Sequence, residues 1–361
     1  MRAAAAADLG SRTPAAITLT QNLQHAIARI AGLGDAHSVV PIQGSGTFAV
    51  EAMLTSLLDA HSHVLIIENG VYSARMTEIC RIHRISHEVL RLDPYQALDL
   101  VLVEQRLQQS GHITHLAAVH FETALGVLND LEGLSRLAVQ HGALLLLDVI
   151  STFGAMALNI EPRRIAGMAL SANKCLHGLP GVAFVIARTD LLLQNNAPRS
   201  LSLDLKAQWL GLQQDGQWRF TPPLQVLLAL QQAIQEYEQH GGQAARLKTY
   251  ALRAEHLLAG MRQIGFAPVI AAQYRAPIIM TFQAAPGVML PMDQLHAWLA
   301  QQGLHIYPTR HANPHSFRVG VIGELSMLDI DELVAALARF VALAATEGRE
   351  PDPRCETVCP H

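Results

Sequence analysis

The first two thirds of the chain alternate short, almost wholly apolar runs with longer stretches whose apolar residues recur every three or four positions. The short runs fall at residues 63–67, 116–121, 143–149 and 181–187. They lack the polar-every-second-residue pattern of a strand with one wet face, so they read as strands buried on both faces of a sheet. The longer stretches, at 48–58, 72–83 and 131–140, and an earlier one at 21–31, carry the helical period. Strands and helices in this alternation predict β-α-β units around a mostly parallel sheet between two helical layers. From residue 225 the pattern changes. It is helical through 239, breaks at Gly241-Gly242, and continues with helices near 243–264 and 292–302 and strand-like runs at 278–282, 305–307 and 316–321. The expected organisation is α/β: a large domain over residues 1–232, a smaller α+β domain over 233–345, and a polar, proline-bearing, disordered tail over 346–361.

A length of 361 residues accommodates two such domains. With 50% hydrophobic and 16% charged residues and a mean hydropathy of +0.21, the chain can bury a sizeable core and is not of the disordered class. Lys and Arg total 26 against 30 Asp and Glu, a formal charge of −4. That balance gives no reason to expect nucleic acid or an anionic membrane as a partner. The most apolar stretches, 143–160 and 333–345, are interrupted by Asp148 and Arg339, so no membrane span is expected. The four cysteines, Cys80, Cys175, Cys355 and Cys359, are too few and too scattered for a disulfide framework. The expected compartment is the reducing cytoplasm.

Three elements carry candidate chemistry. Gln43-Gly44-Ser45-Gly46-Thr47 opens directly onto the helical run FAVEAMLTSLL. Such a turn offers free backbone N–H groups and two hydroxyls to an anion at the positive end of a helix dipole, which suits a phosphate. It is neither a dinucleotide fingerprint nor a P-loop, and a helix cap without any ligand has the same composition. The second element is Asp148, at the end of the leucine run 144–147. A carboxylate at a strand end faces the ligand crevice of an open parallel sheet and needs a cation or a protonated ring nitrogen beside it; the alternative is a local helix cap. The third is Lys174, in Ser171-Ala172-Asn173-Lys174, among small and apolar residues. A Schiff base would remove the cost of a buried ammonium, although a surface lysine on a loop fits the same residues. A phosphate turn, a strand-end Asp and a Lys 26 positions after it, in that order, describe a pyridoxal phosphate site.

The segments PIQGSGTFAVEAML (41–54), NGVYSARM (69–76), SANKCLHGLPGVAFVIAR (171–188), RSLSLDLKAQW (199–209), WRFTPP (218–223) and FRVGVIGE (317–324) resemble the class V aminotransferases, of the fold-type-I pyridoxal phosphate group. SANKC with its following Pro-Gly, and RSLSLDL followed by WRFT, resemble the branch that acts on 2-aminoethylphosphonate. The resemblance runs from about residue 8 to 345. It implies that Ser45, Gly46 and Thr47 hold the cofactor phosphate, that Tyr72 stacks on the ring, and that Thr123 approaches the ring hydroxyl. It implies further that Asp148 keeps the ring nitrogen protonated and that Lys174 carries the cofactor and moves the reacting proton. Thr221 is implied to reach the neighbouring subunit's cofactor phosphate in a homodimer, and Arg318 to clamp an acidic substrate group. The activity so implied is transfer of the amino group of 2-aminoethylphosphonate to pyruvate. The alternatives are a class V transaminase for another small donor, of the alanine–glyoxylate or serine–pyruvate kind, and a truncated, non-catalytic relative.

The chain departs from the family pattern in places. An N-terminal segment with a Leu-Thr-Pro-Gly-Pro turn is not found before residue 8. The family's Glu-Thr-Thr-Thr-Gly loop is Glu122-Thr123-Ala124-Leu125-Gly126, its Phe-Thr-Ser-Pro-Thr-His is Phe220-Thr221-Pro222-Pro223-Leu224-Gln225, and the glycine after the stacking aromatic is Ser73. His305, His311 and His315 form no ligand-spaced helix face, so no metal site is expected. Arg310 is either a second anion contact or a solvated side chain, and Cys175 is expected to pack rather than react.

Overall fold

The structure is a computed structural model, and it describes residues 1–158, 160–194, 197–285, 290–309 and 315–347. Arg310, His311, Cys355, Cys359 and residues 348–361 of the expected tail lie outside the described residues; residues 346–347 end a helix.

Seven strands form the large sheet: β1 (His37–Gly44), β2 (Val64–Glu68), β3 (His87–Arg91), β4 (His115–Val119), β5 (Leu144–Asp148), β6 (Ile165–Ser171) and β7 (Gly181–Arg188). Their order is β1-β7-β6-β5-β4-β2-β3, with β7 antiparallel to both neighbours and the other pairs parallel. The leucine run of β5 shows why these strands are apolar throughout. Leu145 and Leu147 enter one core and Leu146 the other, because successive side chains leave opposite faces of a sheet that is covered on both. In β2, Leu65 and Ile67 divide from Val64 and Ile66 in the same way.

The helices that matter for the site are α1 (Pro14–Ala31), α2 (Gly46–Leu57), α3 (Val71–Ile82), α4 (Leu100–Ser110), α5 (Leu131–His141), α6 (Leu224–Gln239), α7 (Gly242–Gln263) and α8 (Met327–Glu347). Helix α1 starts seven residues before the periodic stretch at 21–31. Thr13 caps it by accepting from Ala16 N, Pro14 occupies the first turn, and Gly32 closes it in the left-handed region at φ 65°. Its buried residues Ala16, Leu19, Thr20, Leu23, Ala26 and Ile27 keep the three- and four-residue spacing of one helical face.

A second, antiparallel sheet is built from β8 (Phe266–Pro268), β9 (Ile279–Ala284), β10 (Tyr307–Pro308) and β11 (Ser316–Gly320), in the order β8-β9-β11-β10. Its core includes Phe266, Phe282 and Phe317, with the first and last rings edge to face at 5.3 Å. The boundary expected at 232/233 falls inside α6 rather than between elements. The chain instead turns at Gly241 and Gly242, both at positive φ (92° and 63°), a conformation that L side chains rarely adopt. No helix among the described residues is long and apolar enough to cross a membrane.

Candidate active site

The C-terminal ends of β1, β2, β4, β5 and β6 lie on one edge of the large sheet, and the chain leaving each of them contributes to a single cavity of about 210 Å³. Its lining includes Ser45, Gly46 and Thr47 after β1, Tyr72 and Arg75 after β2, Asp148 at the end of β5, and Ser171 and Lys174 after β6. A crevice at the carboxyl ends of parallel strands is where open α/β sheets bind ligands.

Ser45 occupies the N-cap position of α2 in extended conformation, and its side chain makes no capping hydrogen bond, so its hydroxyl is available to a ligand. Gly46 is required by packing: a Cβ there would lie 2.4 Å from Ile150 Cδ1, in the loop just beyond Asp148. The missing side chain lets the turn and the Asp148 loop approach this closely. Thr47 Oγ1 accepts a hydrogen bond from Arg75 Nη1 at 2.8 Å, and the same guanidinium lies 5.0 Å from the centre of the Tyr72 ring. A helix N-terminus, hydroxyls and a fixed cation thus meet on one side of the cavity. Arg75 was not among the residues expected from the sequence. Its signal was its place three residues after Tyr72, which puts both on one face of α3.

Asp148 is buried, its Oδ1 accepting from Ile150 N at 2.9 Å. Burial raises its carboxyl to about 7; the Ile150 N–H opposes this, the Glu122 carboxylate adds to it, and Arg75 and Lys174 oppose it. Lys174 sits in the tight turn after β6, fastened by His177 N to Lys174 O (2.9 Å) and by Gly178 N to Ala172 O (2.8 Å). His177 takes the left-handed conformation there, φ 60°. Ser171 Oγ, also in the wall, is buried without a hydrogen-bond partner, the mark of a site that awaits a polar ligand. Cys175 donates from Sγ to Ser151 O at 3.2 Å, and burial pushes its thiol up to about 12, so it packs and does not react.

Glu122 and Ser73 work together at the start of α3. The carboxylate accepts from Tyr72 N at 3.0 Å, Ser73 N at 3.2 Å and Ser73 Oγ at 3.1 Å, capping the helix that carries Tyr72 and Arg75. Gly70 admits it, since a Cβ there would lie 2.1 Å from Glu122 Cγ. Burial raises the Glu122 carboxyl against these hydrogen bonds. Glu122→Gln replaces an anionic acceptor by an amide that satisfies only part of this set. It is expected to weaken cofactor binding about tenfold, read from equilibrium dialysis against the cofactor.

Three expected residues do not line the cavity. Thr123 and Arg318 sit together, Arg318 Nη1 donating to the Thr123 carbonyl at 2.8 Å, with the Arg318 guanidinium 5.9 Å from the centre of the Tyr307 ring. Thr221 is exposed and lines a separate cavity of about 510 Å³ with Gln43, Gly44, Phe48, Trp218 and Phe220.

The sequence pattern of the family described as Aminotransferase class-V matches residues 1–318. The chain belongs to the class V aminotransferases. It is 39% identical over 337 residues to a protein of Burkholderia ambifaria (strain MC40-6) named 2-aminoethylphosphonate–pyruvate transaminase, covering 92% of this chain and 89% of that one. A protein of the same name from Klebsiella pneumoniae is 38% identical, covering 88% of each. Among solved structures, an alanine–glyoxylate aminotransferase from Nostoc sp. superposes with a TM-score of 0.86 at 20% identity, over 94% of this chain and 91% of that one, a likeness of fold. This class V aminotransferase uses pyridoxal phosphate, and the cavity fits that group. It offers an anion-binding helix N-terminus, a buried carboxyl for a cationic ring nitrogen, a lysine, and an unsatisfied buried hydroxyl.

Proposed function

We propose that this enzyme transfers the amino group of 2-aminoethylphosphonate to pyruvate, leaving phosphonoacetaldehyde and giving L-alanine, as a cytoplasmic step in phosphonate breakdown. The observation that carries the reading is the convergence of Lys174, Asp148 and the cation-backed N-terminus of α2 on one cavity. The substrates are those for which its relatives are named.

Ser45, Thr47 and the first N–H groups of α2 would hold the cofactor phosphate, with Arg75 fixing the Thr47 hydroxyl behind it. Tyr72, held by the Glu122 cap at its backbone, would lie against the ring face. Asp148 would face the ring nitrogen, and a cation there would hold it as the anion that burial alone disfavours. When bound, pyridoxal phosphate supplies an electron sink for the carbon that bears the substrate's amino group. Lys174 Nζ would hold the cofactor and would remove and return the proton at that carbon as base and acid. One cavity serves donor and acceptor in turn, so the kinetics are ping-pong.

Arg318 would release the Thr123 carbonyl to clamp the phosphonate and then the pyruvate carboxylate in bidentate contact, with Thr123 beside it toward the ring hydroxyl. Arg318→Lys keeps the charge but not the fork. It is expected to lower kcat/KM for 2-aminoethylphosphonate about 10- to 100-fold with the cofactor's visible spectrum unchanged.

Thr221 acts on the partner's cofactor phosphate in a homodimer. Exposed apolar side chains at Phe48, Phe220 and Leu201, in and near the cavity that Thr221 lines, support a covered face there. The test of the whole reading is a donor panel. 2-Aminoethylphosphonate with pyruvate should turn over at least tenfold faster than alanine or serine with glyoxylate; the reverse order would favour the alternative donors.

A further inference from the structure

At the opposite edge of the large sheet from the cofactor cavity, His63, Glu88 and His112 bring one ligand atom each to within 4.8 Å of one another. His63 immediately precedes β2, Glu88 lies in the adjacent edge strand β3 opposite Leu65, and His112 follows α4. No metal site is expected from His305, His311 and His315, and these three residues are a different set, far apart in the chain, that only the β2–β3 pairing and the loop after α4 assemble.

The geometry is that of a prepared set of ligands. His63 Nε2 and His112 Nε2 each lie 3.3 Å from the same oxygen, Glu88 Oε1. Zinc bonds of about 2.0–2.1 Å at tetrahedral angles separate ligand atoms by about 3.3 Å. The other carboxylate oxygen is already used: Glu88 Oε2 accepts from Arg106 Nη1 at 3.2 Å and Ser110 Oγ at 3.0 Å, both on α4. That division leaves Oε1 for an ion and fixes the carboxylate plane, as outer hydrogen bonds do at metal centres. His63 is oriented by a 2.6 Å hydrogen bond between Nδ1 and Ser86 Oγ, which turns its buried Nε2 toward Glu88 Oε1. The loop that carries His112 is tied to His63 by Thr114 N to His63 O (2.9 Å) and His63 N to Thr114 Oγ1 (2.8 Å).

We infer that His63, Glu88 and His112 form a binding site for a zinc-class divalent metal ion, with the fourth position open to water. Two imidazoles and one carboxylate select zinc, cobalt or nickel over magnesium and calcium, which prefer all-oxygen sites. The ion would join the start of β2, the edge strand β3 and the loop after α4. Its role is structural, since the catalytic cavity lies at the other edge of the sheet.

The test uses tag-free, chelator-stripped holoenzyme titrated calorimetrically with Zn²⁺, and separately with Co²⁺ followed by visible absorption. The wild type should take up Zn²⁺ at this site, show a tetrahedral cobalt spectrum, and gain several degrees in Tm with Zn²⁺ and none with Mg²⁺ or Ca²⁺. His112→Ala changes a 60% exposed side chain and should leave the fold and the cofactor spectrum intact while weakening Zn²⁺ binding at least tenfold. Glu88→Gln should weaken it similarly. The absence of Zn²⁺ uptake by the wild type would overturn the inference. So would equal uptake by wild type and His112→Ala, which would place the ion elsewhere in the chain.

Discussion

Replacing Lys174 with alanine is expected to reduce transamination by at least about 10⁴-fold, the upper range for loss of a positioned proton shuttle. The expectation rests on what else lines the cavity. Among the described residues Lys174 is the only amine in the wall, and the Arg75 guanidinium there is engaged with Thr47. The turn that presents Lys174 is fastened through its backbone carbonyls, so the alanine variant should keep its fold. Stopped-flow or endpoint alanine production measures the rate, and the cofactor's visible absorption measures the covalent link. The variant should bind pyridoxal phosphate without the lysine-linked band. A rate within tenfold of the wild type would remove Lys174 from the mechanism.

Asp148→Asn is expected to act in opposite directions on catalysis and on the stability of the cofactor-free protein. In the loaded enzyme the amide cannot hold a protonated ring nitrogen, and kcat should fall about 10²- to 10³-fold, the usual loss for one electrostatic partner of the transition state. In the cofactor-free protein the carboxyl titrates near 7 against an ordinary 3.8, so the folded state binds its proton more tightly than the unfolded state does. Its contribution to stability therefore falls as pH rises from about 4 to about 7, and the full cost, up to about 4 kcal/mol, remains above that. The asparagine variant carries no such cost. Stripped of cofactor, it should be more stable than the wild type by a few kcal/mol at pH 8 and equal to it near pH 4, as read from urea unfolding at both pH values. Equal stability at pH 8 would mean that Asp148 is already compensated without the cofactor.

The parts of this protein that were legible in its sequence are those where a local rule coincides with the tertiary demand. The leucines before Asp148 read as a strand covered on both faces, and of the two readings open for a carboxylate at its end, crevice or local cap, the structure shows it in the wall of the cavity. Strands β1, β3 and β6 were not read. His37–Gly44 contains a proline and Ile165–Ser171 a glycine, features that weaken the strand signal. The β3 run, His87–Arg91, is only half-buried on an edge. Arg75 and Glu122 escaped notice for a different reason. Each has meaning only through a residue far away in the chain, Thr47 for the one and the N-terminus of α3 for the other. Ser73 looked like a lost glycine and is a capping residue: its hydroxyl accepts from Asn69 N at 3.1 Å and reaches Glu122.

The central claim is that one cavity, with Lys174 and Asp148 in its wall, removes the amino group of 2-aminoethylphosphonate. The most direct measurement is a single turnover: holoenzyme mixed with 2-aminoethylphosphonate in the absence of any keto acid, with phosphonoacetaldehyde quantified against active sites. The account predicts one equivalent of aldehyde per site, loss of the lysine-linked visible band, and recovery of that band with one equivalent of alanine when pyruvate is added. An intact visible band and no aldehyde, from a holoenzyme that does respond to alanine or serine, would contradict it.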